Sequence, residues 1–344
     1  MNLYTVESRG RSLVCRETAE GQLRVLPYGS MNALLADEPG RRAGILAAEG
    51  SEVLRLSDVR ILAPIPQPRQ DILCLGMNYQ QHKAEAERFD AAAFTRDNRA
   101  VYFTKRANRC PGPGEAIPGH WDMVESLDYE VELAVVLGRD ACHVTEAEAR
   151  DCVFGYTILN DVSARNLQTG HKQWTFGKGL DGFAPMGPCL VTADGFAWPP
   201  AQAIRCYVNG ELRQDSVTDR LLFSIPYVIA ELSRGMTLQA GTVIATGTPA
   251  GVGMGFDPPR FLRTGDVVRC EIEGIGVLGE SGGVNPPSPA HSEAHAPVPR
   301  PSSQGKSRKG PGPSWFPPLG GGKKPDHFSS RRVRDEKSLS RSDV

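Results

Sequence analysis

Two carboxylates, Glu130 and Glu132, alternate with apolar residues in the run Leu127-Asp128-Tyr129-Glu130-Val131-Glu132-Leu133-Ala134-Val135-Val136-Leu137-Gly138. On a strand, side chains two residues apart point to the same face. Two anionic groups on one face repel each other, and a hard divalent cation between them would remove that repulsion. A third carboxylate, Asp161, closes the next apolar run, Val153-Phe154-Gly155-Tyr156-Thr157-Ile158-Leu159-Asn160. Three carboxylates from two strands can face one Mg²⁺ and leave its other positions to water or substrate, which suits catalysis better than a structural ion. The same Glu/Val alternation also fits a half-exposed strand with a wet face. Asp128 shares the parity of the pair, either as a fourth ligand or as a solvated residue.

The elements that must position these groups read as follows. Residues 1–66 suggest a small N-terminal domain with strands at Leu3–Val6 and Leu13–Cys15 and short helices at Met31–Leu35 and Gly44–Glu49. Pro64-Ile65-Pro66-Gln67-Pro68 reads as a linker, because each proline favours extended backbone before it. Residues 70–284 form the main domain. Ile72–Gly76, Val101–Thr104, Val243–Thr246 and Val267–Ile272 are strands. Asn78 can cap a helix carrying His82 and Glu85. Thr145-Glu146-Ala147-Glu148 has the pattern of a capping box. Cys206–Leu212 turns at Asn209-Gly210, a hairpin signal, and Ser224–Leu232 is an amphipathic helix with Pro226 in its first turn. Many short strands with few helices predict a β-rich core closed into a roll or barrel.

Composition separates the last sixty residues from the rest. Residues 285–344 hold eleven prolines and eleven Lys/Arg against five Asp/Glu, whereas residues 1–284 hold 28 Lys/Arg against 35 Asp/Glu. The tail lacks periodic apolar positions and is expected to be disordered. Its clusters Lys306-Ser307-Arg308-Lys309 and Arg331-Arg332-Val333-Arg334 read as solvated, with anionic partners as the alternative. An acidic body argues against nucleic acid as the partner. Eight scattered cysteines with no C-x-x-C pair point to buried thiols in a reduced, cytoplasmic protein. No signal peptide and no membrane-spanning run is apparent.

His82 and Glu85 stand three apart, so on a helix they share a face. A carboxylate beside an imidazole orients it and raises its basicity; the pair equally fits an ordinary surface contact. Lys178 lies in Gln173-Trp174-Thr175-Phe176-Gly177-Lys178, Arg165 and Gln168 in Asn160-Asp161-Val162-Ser163-Ala164-Arg165-Asn166-Leu167-Gln168, and Gly247 and Thr248 in Ala245-Thr246-Gly247-Thr248-Pro249-Ala250-Gly251-Val252-Gly253. Arg165 alone would suggest a salt bridge to a nearby acid, and Gly247-Thr248 a tight turn after a buried strand.

Taken together with Gly76-Met77-Asn78-Tyr79-Gln80-Gln81-His82-Lys83-Ala84-Glu85 and the Glu130/Glu132 run, these segments resemble, in order, the fumarylacetoacetate hydrolase family over roughly residues 70–280. The resemblance implies a β-rich α+β fold, a mixed β-roll around the active site with a small N-terminal domain, and a homodimer. It implies Mg²⁺ (or Mn²⁺) on Glu130, Glu132 and Asp161, with Asp128 outside the ligand set. It makes His82–Glu85 a water-activating dyad, Lys178 an oxyanion stabiliser, and Arg165, Gln168, Gly247 and Thr248 substrate contacts. Leu180-Asp181-Gly182 stands where many relatives have Phe-Asp-Thr, and His120, His143 and His171 match no catalytic position. The reading that follows is metal-dependent hydrolysis of a carbon–carbon bond in a 2,4-dioxo acid, an acylpyruvate-like compound, giving pyruvate and a carboxylic acid. Decarboxylation, tautomerisation or hydration of a small 2-oxo acid substrate would use the same chelate, and a non-catalytic metal-binding protein is the remote alternative.

Overall fold

The structure is a computed structural model that describes residues 1–48, 52–91 and 99–279, and the backbone of 284–285. Its centre is an eleven-stranded mixed sheet. The order along the main path is Val53–Arg55, Gln22–Val25, Arg11–Ala19, Asn2–Ser8, Met186–Thr192, Val153–Asn160, Val131–Leu137, Val243–Ala245, Ile72–Gly76 and Val101–Lys105, with Arg60–Ile61 added beside Asn2–Ser8. A second sheet of four strands carries the hairpin Ala203–Val208 and Glu211–Val217. Its turn residues Asn209 and Gly210 both have positive φ, 52° and 82°, as the tight hairpin turn requires.

Strand Val131–Leu137 is buried along its whole length because both faces of the sheet are covered. Leu133, Val135 and Leu137 join one apolar cluster, and Ala134 and Val136 join another on the opposite face. This accounts for a continuous apolar run instead of a wet alternation. Each fully buried Val or Leu of this kind contributes about 1.5–3 kcal/mol.

Several expectations are revised by long-range pairing. The N-terminal strands are continuous with the main sheet: Asn2 and Leu3 pair with Val191 and Leu190, and the strands from Asn2–Ser8 out to Val53–Arg55 extend it. Pro64–Pro68 is not a free linker. Ile65 is fully buried, Pro64 O accepts from the Thr5 hydroxyl, and Pro66 O accepts from Cys110 N. The second helix spans Pro39–Ala47, beginning earlier than expected because Glu38 caps it and Pro39 fits its first turn; Glu49 lies outside the described residues. Thr145 and Glu148 do bond reciprocally, ahead of the short helix Ala149–Cys152. Ser224 caps helix Ile225–Ser233.

Cys142 is exposed and the other seven cysteines are buried, all as free thiols. Among the described residues no helix is long and apolar enough to cross a membrane. The expected disordered tail, residues 285–344, lies outside the described residues, apart from the backbone of Asn285.

Candidate active site

Strand register brings the three carboxylates together. Val131 pairs with Asn160 in antiparallel register, so Glu130 precedes one strand beside the point where Asp161 leaves the other. Asp161 N donates to Glu130 O at 2.8 Å, and Asn160 Oδ1 accepts from Glu130 N at 3.0 Å. On the other side, Ala134 pairs with Ala245, which carries Gly247 alongside Glu132. Gly247 N donates to Glu132 Oε2 at 2.9 Å. Ile72–Gly76 runs parallel to Val243–Ala245 and ends at the same edge, delivering helix Gln80–Phe89. Ligand oxygens of Glu130, Glu132 and Asp161 lie within 4.8 Å of one another.

Three cations partly neutralise this face. Lys178 Nζ bridges Glu130 Oε2 at 2.7 Å and Asp161 Oδ2 at 2.8 Å. Lys105 Nζ pairs with Asp161 Oδ1 and donates to Val162 O at 3.0 Å. Arg165 donates from Nε to Asp128 Oδ2 at 2.8 Å and from Nη1 to Gln168 Oε1 at 3.0 Å, and its Nη2 lies 2.6 Å from Glu130 Oε1. All of these charged side chains are buried. Desolvation of ions at this depth is expensive, so partners are obligatory.

Burial pushes the Glu130 carboxyl up, but Lys178, Arg165 and His82 outweigh it and hold Glu130 below the usual carboxylate range. Glu132 behaves oppositely. Burial, then the charges of Asp161 and Glu130, push its carboxyl well above the ordinary value, against weaker opposition from Lys178 and Gly247 N–H. Burial lowers the Lys178 ammonium, yet Asp161 and Glu130 more than restore it and keep it protonated.

The donor set fits a divalent cation. The four buried acids Asp128, Glu130, Glu132 and Asp161 face the three buried cations Arg165, Lys178 and Lys105, leaving one formal negative charge. Glu132 is the acid with no ion pair among the described residues, and it is the one that burial drives toward protonation. Three hard oxygen donors at this spacing could hold a hard divalent cation.

Across the cavity stands the imidazole pair. His82 is 4 % exposed, its Nδ1 has no hydrogen-bond partner among the described residues, and Glu85 Oε2 lies 3.5 Å from it. Both Glu85 oxygens accept from Gly251 N, at 3.0 and 3.1 Å. The cavity is narrow, with free space of about 10 Å³, and is lined by His82, Glu130, Glu132, Arg165, Gln168, Lys178 and Thr248, with Leu75, Gly76, Met77, Trp174 and Met254 as its less polar walls.

The expected site residues thus converge, with some differences of detail. Glu85 and Asp161 support the lining from behind. The Gly247 N–H is engaged by Glu132, and the Thr248 hydroxyl donates to Val131 O at 2.8 Å while accepting from Gln214 Nε2 at 2.7 Å. Asn78 does not cap the helix, which starts at Tyr79 without a side-chain cap. Its buried amide instead bonds Thr246 O, Phe223 O and Phe223 N, tying two crossovers together. Asp128 is neither ligand nor solvated: it is fully buried against Arg165, Gly253 N and Met254 N. Sequence reasoning missed Lys105 and Gln214; a lysine ending the apolar strand Val101–Lys105 was the available signal for the first. His120, His143 and His171 do not line the cavity.

Residues 71–281 match the family model described as fumarylacetoacetate (FAA) hydrolase C-terminal. Over 229 residues the chain is 45% identical to oxaloacetate tautomerase YisK of Bacillus subtilis, covering 67% of this chain and 75% of that protein. A solved fumarylacetoacetate hydrolase from Exiguobacterium antarcticum superposes with a TM-score of 0.71 at 39% identity, over 83% of this chain and 99% of that one. A maleylpyruvate hydrolase from Sphingobium, solved with manganese(II) and pyruvate, gives 0.67 at 28% identity, over 83% and 99%.

Proposed function

Because the chain belongs to the fumarylacetoacetate hydrolase family, we propose that it is a Mg²⁺- or Mn²⁺-dependent enzyme that interconverts the keto and enol forms of a small 2-oxo diacid resembling oxaloacetate. The observation that carries this reading is the placement of one buried imidazole, His82, on the same small cavity as Glu130, Glu132 and Lys178. The similarity to a protein named as an oxaloacetate tautomerase supports the same substrate class.

Glu130, Glu132 and Asp161 would hold the cation. When bound, the cation would withdraw electron density from the 2-oxo group of the substrate. The protein supplies the proton chemistry. The His82 imidazole takes the proton from C3, the C–H electrons form the C2–C3 double bond, and the carbonyl π electrons move to oxygen. That oxygen takes up the proton released by the His82 imidazolium, which returns to neutral imidazole, to give the enol, and the reverse sequence returns the ketone. Glu85 orients the imidazole and stabilises its protonated form. Lys178 keeps a positive charge beside the carboxylates, where negative charge develops on the substrate oxygen. Apolar walls at Leu75, Met77, Trp174 and Met254 exclude bulk water.

A second reading is favoured by a specific contact, the 3.5 Å approach of Glu85 to His82 Nδ1. That pair can also activate water for carbon–carbon hydrolysis of a 2,4-dioxo acid. The deciding experiment follows the decay of enol oxaloacetate and the cleavage of an acylpyruvate in parallel, with Mg²⁺, Mn²⁺ or EDTA. Metal-dependent acceleration of enol decay, abolished by His82→Ala, is the expected result. Acylpyruvate cleavage with no acceleration of enol decay would transfer the assignment to hydrolysis. The homodimer implied by the family is part of the same proposal, and light scattering of the purified chain checks it.

A further inference from the structure

The segment Gly251-Val252-Gly253-Met254-Gly255 alternates glycine with apolar residues. Two carboxylates from different elements close on it. Glu85, on helix Gln80–Phe89, accepts from Gly251 N with both oxygens, at 3.0 and 3.1 Å. Asp128, on strand Leu127–Asp128, accepts from Gly253 N at 2.6 Å and from Met254 N at 3.1 Å. Missing side chains permit both approaches. A Cβ on Gly253 would stand 2.6 Å from Asp128 Oδ1, and one on Gly255 would stand 2.7 Å from the Glu85 carboxyl carbon. Val252 and Met254 pack with Met77, Ala86 and Trp174, so the turn also anchors the helix through apolar contact.

The chain of contacts continues past the turn. Asp128 Oδ2 accepts from Arg165 Nε at 2.8 Å, and Arg165 Nη2 lies 2.6 Å from Glu130 Oε1. Hydrogen bonds and ion pairs, joined through the backbone of the turn from Gly251 to Gly253, therefore link Glu85, which faces the imidazole, to Glu130, which belongs to the carboxylate cluster. Asp128 is the midpoint of this link, yet it is fully buried and does not line the cavity. Its role therefore acts through its neighbours, and not on substrate.

We propose that the Gly251–Gly255 turn couples the His82–Glu85 pair to the carboxylate face, and that Asp128 is the positioning residue that sets their separation. This rests on the reading above in that both halves are taken to serve one reaction. Short charge-assisted bonds are the stiffest polar contacts available for such a strut. A misplacement of about 1 Å between reacting groups can cost on the order of a hundredfold in rate.

Two variants test it. Asp128→Asn weakens the acceptor, and Gly255→Ala pushes on the Glu85 carboxylate, the end of a flexible side chain that can move without unfolding the protein. The first readout is amide hydrogen exchange of the metal-free protein. Both variants should speed exchange in Gln80–Phe89 by about tenfold, a loss in line with one charge-assisted hydrogen bond. Exchange in the hairpin Ala203–Val208 and Glu211–Val217 should not change. The second readout is turnover: kcat should fall about tenfold with KM held. In a Glu85→Gln background, Asp128→Asn should add little. Gly255→Ala should leave Mn²⁺ affinity within about twofold of wild type.

Unchanged exchange in Gln80–Phe89 in both variants would overturn the proposal, as would full additivity of Asp128→Asn with Glu85→Gln. Should Asp128→Asn fail to fold, Gly255→Ala carries the test alone. If the wild-type protein turns over no oxo acid, the functional reading fails, while hydrogen exchange still judges the coupling.

Discussion

The carboxylate face and the imidazole helix meet at one cavity but are held in different ways. Glu130, Asp161 and Lys105 at strand ends, and Arg165 and Lys178 on the short helices Arg165–Gly170 and Thr175–Lys178, are fixed by mutual ion pairs and backbone bonds, all buried. Helix Gln80–Phe89 starts without a side-chain cap, and among the described residues its His82 Nδ1 has no hydrogen-bond partner. Its polar anchor to the turn is Glu85 on Gly251 N. One half is preorganised by the sheet, and the other is positioned through few contacts. Under the proposed function, cation binding would fall mainly to the first half and proton transfer to the second, and the variants below test how far they can be pulled apart.

The largest effect is expected on the carboxylate face, and it should differ in sign between neighbours. Glu130→Gln leaves Lys178 and Arg165 short of a buried counter-ion. The metal-free protein should lose about 3 kcal/mol of stability, measured by urea denaturation in EDTA. Glu132→Gln removes the acid that burial and like charge disfavour. It should leave the metal-free protein as stable as wild type or more so. Both should weaken Mn²⁺ binding by at least about a hundredfold in calorimetric titration. Equal destabilisation by the two substitutions would contradict the charge assignment.

On the opposite half, His82→Ala should lower kcat by about 10²–10⁴ while Mn²⁺ affinity stays within about threefold. A parallel loss of metal affinity would mean that the two halves are not separable. Glu85→Gln should have a smaller effect, about tenfold in kcat, because the imidazole loses the carboxylate that orients it.

The smallest expected effect is a pH dependence. Glu132 has a raised value in the folded protein, so its native state binds the proton more tightly than the unfolded chain does. Its contribution to metal-free stability is fully present below the ordinary carboxylate value, about 4.5, and is lost as pH rises through the raised one. Glu130 has the opposite sign, so the contribution is isolated as the difference between wild type and Glu132→Gln. Melting temperatures in EDTA should therefore diverge with rising pH, the wild type falling behind, and saturating Mg²⁺ should close the gap. A constant difference across pH would remove Glu132 as its source.

Local spacing made much of the site legible. Period-two alternation put Glu130 and Glu132 on one face, the apolar run ending at Asn160 delivered Asp161, and three-residue spacing paired His82 with Glu85. The Asn209-Gly210 turn and the Ser224 cap were equally readable, because both are encoded within a few residues. Bonds closed over long sequence separations were not. Nothing near Asp128 announces that its partners are Arg165, Gly253 and Met254, and nothing near Asn78 announces Phe223 and Thr246.

Sequence alone determined which residue types were available to bind a hard cation and move a proton, since periodicity is a property of the local chain. Tertiary structure decided which acid stays ionised, which is driven toward protonation, and that the N-terminal strands belong to the main sheet. The physical reason is common to all three. Burial and counter-charge act through space, and the partners that set them are brought together only when distant strand ends meet at one edge of the sheet.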